Sequence, residues 1–153
     1  MSLLIRPATL EDIAQIEAIV EAAYSPYIER IGRKPAPMLE DYASQVLARR
    51  VHVLAHVQTL SGFVVLIDTE EYLLLDNIAV NPAVKGQGYG GQLLDFAERH
   101  ALDAGYPTIR LYTNEAMSEN IALYTRRGYV ETHRVEENGL RRVHMSKSLG
   151  FAH

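Results

Sequence analysis

The sequence contains no cysteine and no tryptophan. The first absence excludes disulfides, a thiol nucleophile and cysteine-bound metal. No apolar run approaches the roughly 18 residues of a membrane-spanning helix, so no membrane partner is expected. Positive charge is scarce: 15 Lys+Arg leave a net charge of −4, and no basic excess invites nucleic acid. Repeats, low-complexity tracts and linker-like stretches are missing as well. The opening MSLLIRPATLED meets charge by its sixth residue and has no secretory apolar region, so a cytoplasmic location is expected. What is present is the composition of a folded chain, 48% apolar and 22% charged over 153 residues. That length suits one domain spanning 1–153.

Periodicity gives a coarse order of elements. LLIRPA reads as a short strand. Thr9 and Asp12 form a capping-box pattern before a helix whose apolar face is Ile13, Ile16, Ile19, Val20 and Ala23. YSPYIERIGRKPAPM breaks the pattern with three prolines and a glycine, as a loop or broken helix does. A second helix is expected over about 39–50. VHVLAHV and GFVVLID read as strands joined by a turn around Ser61-Gly62. YLLLDNIAV reads as a central strand buried on both faces, with Asp76-Asn77 suiting a bulge. Leu93, Leu94, Ala97, Ala101 and Ala104 follow at helical spacing, and Gly105 and Pro107 end that helix. TIRLYT is a strand, and SENIALYTRRGY is a short helix stopped at Gly128. Asn138-Gly139 is the strongest hairpin signal in the chain. The sum is a mixed α/β fold, antiparallel strands first and then a strand–helix–strand crossover.

One stretch carries chemistry. GQGYGG places Gly86, Gly88, Gly90 and Gly91 between a buried strand and a helix. A helix start has unpaired N–H groups and a partial positive charge, and glycines let an anion approach them. That combination suits a pyrophosphate. A plain glycine-rich turn is one alternative. A dinucleotide site is another, because Gly86, Gly88 and Gly91 satisfy G-x-G-x-x-G, although the motif sits past mid-chain behind hairpin-like strands. A P-loop is excluded, since no GK[ST] follows.

VNPAVKGQGYGGQLL resembles the acyl-CoA-binding motif of the GNAT (GCN5-related N-acetyltransferase) superfamily, which falls on Lys85, Gly88 and Gly90. Lys85 stands where Gln or Arg is usual. NIALYTRRGY resembles the family's second signature and places Asn120, Tyr124 and Gly128. IRPATLEDIAQI resembles its first strand and helix. The resemblance implies a mixed, mostly antiparallel sheet in which two adjacent parallel strands, here YLLLDNIAV and TIRLYT, splay around acyl-CoA.

It also implies roles. N–H groups across Gly86, Gln87, Gly88, Tyr89, Gly90 and Gly91, with Lys85, would hold the pyrophosphate. The backbone of Ile78, Ala79 and Val80 would pair with the pantetheine arm and supply an oxyanion donor. Asn120 would bond the pantetheine. Tyr124 matches the general acid that protonates the departing thiolate. The family's usual base position falls on Tyr112, where no carboxylate stands. Asp76, Glu71 and Glu115 are the alternatives, Asp76 foremost. The loop region supplies an acceptor wall, with Tyr24, Tyr27, Pro37, Met38 and Tyr42 as its aromatic and apolar side and Glu29 or Asp41 for a cationic amine. The implied co-substrate is acetyl-CoA and the partner a small-molecule or peptide amine, with a homodimer left open. No metal is expected. His52 and His56 share a strand face but lie about 13 Å apart. An acyl-CoA-binding domain without catalysis and a dinucleotide module are the competing functions.

Overall fold

The computed structural model describes residues 3–150. Among these residues seven strands form one mixed sheet, whose order, counted along the chain, is first, second, third, fourth, fifth, seventh, sixth. Contacts divide the chain into two compact units, one of 1–66 with 77–97, the other of 67–76 with 98–153.

In the first unit, β1 (Leu4–Pro7) pairs antiparallel with β2 (Val51–His56), and β2 with β3 (Thr59–Asp68). Thr9 opens a 3₁₀ turn that runs into α1 (Ile13–Tyr24), and the Asp12 carboxylate accepts the Thr9 N–H at 2.8 Å. Arg6 grips the same carboxylate with both guanidinium arms, at 2.8 and 3.0 Å. These bonds hold the Asp12 carboxyl below the ordinary carboxylate range, the Arg6 bond most of all. The buried stripe of α1 is Ile16, Ile19, Val20 and Tyr24. The proline-rich stretch is indeed a broken helix: α2 (Pro26–Ile31) stops at left-handed Gly32, and a 3₁₀ turn follows over Ala36–Leu39. Then α3 spans only Tyr42–Leu47, shorter than the periodicity suggested, because Asp41 caps it by accepting the Ser44 N–H.

The β2–β3 turn is not at Ser61-Gly62. Both residues lie inside β3, and the chain reverses at Val57-Gln58, with Val57 in the left-handed region at φ 60°. The Gln15 side chain holds that turn from α1, donating to the Gln58 carbonyl at 2.8 Å and accepting the Leu60 N–H at 2.9 Å. Gly62 is instead a close-approach glycine. A Cβ there would lie 2.7 Å from the Ala79 carbonyl oxygen on β4 (Leu73–Val80).

β4 is central but not buried on both faces. Leu73, Leu75, Asn77 and Ala79 are buried, while the alternate residues are half-buried. The alternation runs unbroken through Asp76 and Asn77, so the irregularity expected there is not seen in the burial pattern. After a 3₁₀ turn at Pro82–Val84, α4 (Tyr89–Asp103) buries Leu93, Leu94, Ala97 and Ala101. Within the second unit, Leu73–Leu75 pair in parallel with 109–111 of β5 (Thr108–Asn114). That β4–α4–β5 connection is the crossover read from the sequence. Next, α5 (Ser118–Arg126) ends before Gly128 at φ 95°. β6 (Val130–Glu137) and β7 (Leu140–Ser148) form the hairpin, with Asn138 and Gly139 at φ 53° and 78°. No helix among the described residues is long and apolar enough to cross a membrane.

Candidate active site

The glycine turn has a physical cause and a physical consequence. Gly86 and Gly88 lie at φ 88° and 80°, where other residues are strained, so the backbone itself demands glycine there. Beyond both α-carbons there is open space: a Cβ would meet no atom within 4 Å. The first bond of α4 that closes back on this turn runs from the Gln92 N–H to the Gly88 carbonyl at 3.1 Å. The N–H groups of Tyr89, Gly90 and Gly91 therefore sit in the part of the helix that has no intrahelical acceptor. Lys85, Gly86, Gln87 and Gly88 are exposed, and Tyr89, Gly90 and Gly91 half-buried. A positive-end helix start with unoccupied space before it fits an anion such as a pyrophosphate.

In the same unit, β4 presents a defined edge. The Asn81 N–H donates to the Ser61 carbonyl at 2.8 Å, and the Ala79 carbonyl oxygen lies against Gly62. Odd-numbered peptide groups of this segment thus face β3. By strand alternation, those of Ile78 and Val80 face the opposite edge. Ala79 belongs to the β3 side, so Ile78 and Val80 carry the outward backbone groups.

Behind that edge lies a buried polar chain. Tyr42 donates its hydroxyl proton to the Pro37 carbonyl at 2.6 Å and accepts from the Asn77 amide nitrogen at 2.8 Å. The Asn77 amide oxygen accepts from the Tyr24 hydroxyl at 2.6 Å, and that hydroxyl also lies 3.0 Å from the Ile78 carbonyl. Tyr24, Tyr42 and Asn77 are 6%, 3% and 7% exposed. The wall residues read from the sequence thus divide. Tyr24 and Tyr42 are buried with hydroxyls committed inward. Tyr27 and Met38 are half-buried, with the Arg30 guanidinium 5.0 Å from the Tyr27 ring centre. The Asn77 connection was not read from the sequence. A signal existed: an amide in an apolar strand needs buried partners, and the phenols of the adjacent helices supply them.

In the second unit, a row of polar side chains crosses four strands. Asp76 of β4 accepts from the Tyr112 hydroxyl of β5 at 3.2 Å. Tyr112 is in register with His144 of β7, and His144 with His133 of β6. The Tyr112 and His144 rings are 5.5 Å apart, the two imidazoles stack at 4.3 Å, and the Arg142 guanidinium covers Tyr112 at 4.7 Å. Burial lowers the His144 pKa, and His133 pushes it the same way. Tyr112, standing at the expected base position, therefore holds the foremost carboxylate candidate. Glu115 instead bonds Arg134 and Arg141, each at 3.3 Å, and Glu71 is exposed.

Tyr124 is 5% exposed on α5, its ring edge-on to Tyr129 at 5.9 Å. Tyr129 is a poor proton donor to anything else. Burial pushes its pKa far up, and its hydroxyl is given to Glu98, which also takes Lys147 at 2.8 Å. Asn120 is half-buried, with its amide 3.6 Å from the Met117 sulfur. Among the described residues no group of three or more His, Asp or Glu side chains is arranged to hold a metal.

This sheet, its crossover and the glycine turn recur in solved structures of acetyltransferases. The ribosomal-protein-S18-alanine N-acetyltransferase from Escherichia coli superposes with a TM-score of 0.78 at 19% identity, over 99% of this chain and 97% of that one. PaiA N-acetyltransferase from Thermoplasma acidophilum, solved with coenzyme A, gives 0.76 at 20% identity, over 97% and 99%. YncA from Salmonella typhimurium, solved with its cofactor acetyl-CoA, gives 0.73 at 20% identity, over 100% and 97%. A comparison with curated protein sequences returns no match. The family model described as "Acetyltransferase (GNAT) family" matches residues 16–129, well over half of the sequence. The chain belongs to that family.

Proposed function

We propose that this protein is an acetyl-CoA-dependent N-acetyltransferase. It moves the acetyl group to a primary amine by direct attack while both substrates are bound. Residues 1–153 then act as one catalytic domain, as a family match that runs through both units supports. One observation carries the reading. An N-terminal helix turn with open space at Gly86 and Gly88 follows directly on a β4 edge whose Ile78 and Val80 peptide groups face away from β3.

Acetyl-CoA, when bound, supplies an activated acyl group and a thiolate leaving group. The chain does the rest. The N–H groups from Gln87 to Gly91, with the Lys85 ammonium, hold the pyrophosphate. The Ile78 and Val80 backbone pairs with the pantetheine amides, as an added strand does, and Asn120 orients that arm. An N–H of this edge donates to the thioester oxygen as it gains charge. Asp76, steadied by the Tyr112 hydroxyl, takes the proton of the attacking amine. Tyr124 gives its phenolic proton to the thiolate as the carbon–sulfur bond breaks. The acceptor is a small-molecule or peptide amine lying against Tyr27 and Met38, with Tyr42 behind them.

Release of free thiol from acetyl-CoA, followed with a panel of polyamines, amino acids and N-terminal peptides, tests this. At least one amine must accelerate release and gain an acetyl group by mass. Tight coenzyme A binding without turnover on any amine would favour a binding domain, and binding of NAD in preference to coenzyme A would favour a dinucleotide module.

A further inference from the structure

Within the second unit, Leu73–Leu75 pair with 109–111, so Asp76 falls opposite Tyr112, and Tyr112 falls opposite His144. Residues two apart on a strand share a face, which puts Arg142 on the same side of the sheet as Asp76 and Tyr112. Arg134, Glu136 and Arg141 of the hairpin fall at the alternate positions, in line with buried Val143, and belong to the other side. The Arg142 guanidinium lies 4.7 Å from the Tyr112 ring centre, and the Tyr112 hydroxyl lies 3.2 Å from the Asp76 carboxylate. A carboxylate at the hydroxyl end of a phenol and a guanidinium over its ring stand on the order of 8 Å apart. Arg142 is half-buried, while its partner Glu137 is exposed at the hairpin end and takes an Nη1–H at 3.4 Å, a long bond. A guanidinium has further N–H donors, in a planar fork that matches a carboxylate.

In the function proposed above, the attacking amine gives its proton to Asp76 and so stands within hydrogen-bond reach of that carboxylate. An acid group on a short spacer from the same amine then reaches the Arg142 fork. A second amine in that place would meet a like charge instead, so one residue both attracts one class of acceptor and repels another. We propose that Arg142 determines acceptor specificity: the acceptor is an amine that also carries a carboxylate, about one to three carbons from its nitrogen, and Arg142 binds that carboxylate. The inference rests on the reading of the protein as an acetyl-CoA-dependent transferase with Asp76 as its base.

Discrimination is read as a ratio of kcat/KM values. Thiol release and product mass are followed with glycine, β-alanine and γ-aminobutyrate, each beside the amino alcohol and the diamine of the same chain length. The unsubstituted protein should prefer at least one amino acid over its alcohol and its diamine by about tenfold or more, the worth of a hydrogen bond to a charged group. Arg142→Gln should lower that preference by about tenfold to a hundredfold, chiefly through the KM for the amino acid. Whatever Arg142 does for Tyr112 acts on every acceptor and cancels in the ratio. Glu137→Gln removes the competing carboxylate and should raise the preference about twofold to fivefold. Arg110 shares this face but leans over the Tyr72 ring at 4.3 Å, away from Asp76 along β4. Arg110→Gln should therefore leave the ratio within about twofold. If no small amine is acetylated, tripeptides with free N-termini that differ only by Asp or Asn in the first position carry the same comparison. Alcohols or diamines used as well as the amino acids, an unchanged ratio in Arg142→Gln or Glu137→Gln, or an equal loss in Arg110→Gln would each overturn the proposal. Absence of transfer to every amine and peptide by the folded, unsubstituted protein would instead refute the transferase reading itself.

Discussion

Gly62→Ala is the sharpest perturbation of the fold where it meets the site. The new Cβ would sit 2.7 Å from the Ala79 carbonyl oxygen, 3.1 Å from Leu93 Cδ1 and 3.3 Å from Val80 Cα. Two of these three atoms are backbone, so no rotamer change relieves the clash. β4 must move away from β3 by some tenths of an ångström, at the two residues that precede the glycine turn. Overpacking of this kind costs about 1–3 kcal/mol. For a chain of this size that lowers the melting temperature by about 3–10 °C. The displaced segment includes Val80, so coenzyme A affinity should fall as well. Gly105→Ala is the control. Gly105 lies at φ 86° with open space around its Cβ direction. Its alanine variant should lose about 1–2 kcal/mol to left-handed strain and leave coenzyme A binding intact. Thermal melting and calorimetric titration of both variants check this. A Gly62→Ala protein that melts and binds like the original would refute the close β3–β4 approach and the reasoning built on it.

Other perturbations separate the remaining roles. Tyr124→Phe keeps the ring against Tyr129, so melting should hold while kcat falls about 10² to 10⁴-fold, read by thiol release. Gly90→Val places a branched side chain in the first turn of α4, and coenzyme A binding should weaken at least tenfold by calorimetry. Stability should hold, because valine is no worse than glycine in a helix. Gly88→Val is the less clean test, since its φ of 80° strains the backbone before any ligand is considered. Asp12→Asn removes the charge that Arg6 grips and should cost about 1.5–3 kcal/mol in chemical denaturation. Because the folded Asp12 pKa is depressed, chiefly by that bond, the stabilisation is complete above the ordinary carboxylate range. It is lost as pH falls through the lowered value, so the gap between the two proteins should close in acid.

What the sequence revealed and what it hid follow from where the determining forces lie. Asn138-Gly139 was legible because a two-residue hairpin turn demands left-handed backbone, and the dipeptide supplies it locally. The capping box at Thr9 and Asp12 was equally local. The β2–β3 turn was not, because nothing in Val57-Gln58 prefers a reversal. A side chain 43 residues earlier, Gln15, holds it with two hydrogen bonds. Gly62 was misread for the related reason that its cause is a neighbouring strand, while glycine alone signals a turn. The helix expected over 39–50 is shortened by a cap at Asp41 that outweighs propensity at its margins. At the site, the glycine motif falls on the turn that opens α4, yet two of its glycines are explained by φ before any ligand enters. The Tyr24–Asn77–Tyr42 chain joins residues more than 50 positions apart and could be found only once the fold brought them together.

The central claim is acetyl transfer to an amine, and thiol release from acetyl-CoA measured across an amine panel, with acetylated product identified by mass, tests it most directly. The account predicts amine-dependent release by the unsubstituted protein and its near-complete loss in Tyr124→Phe. Amine-independent release, or none with any amine while the protein remains folded and binds coenzyme A, would contradict it.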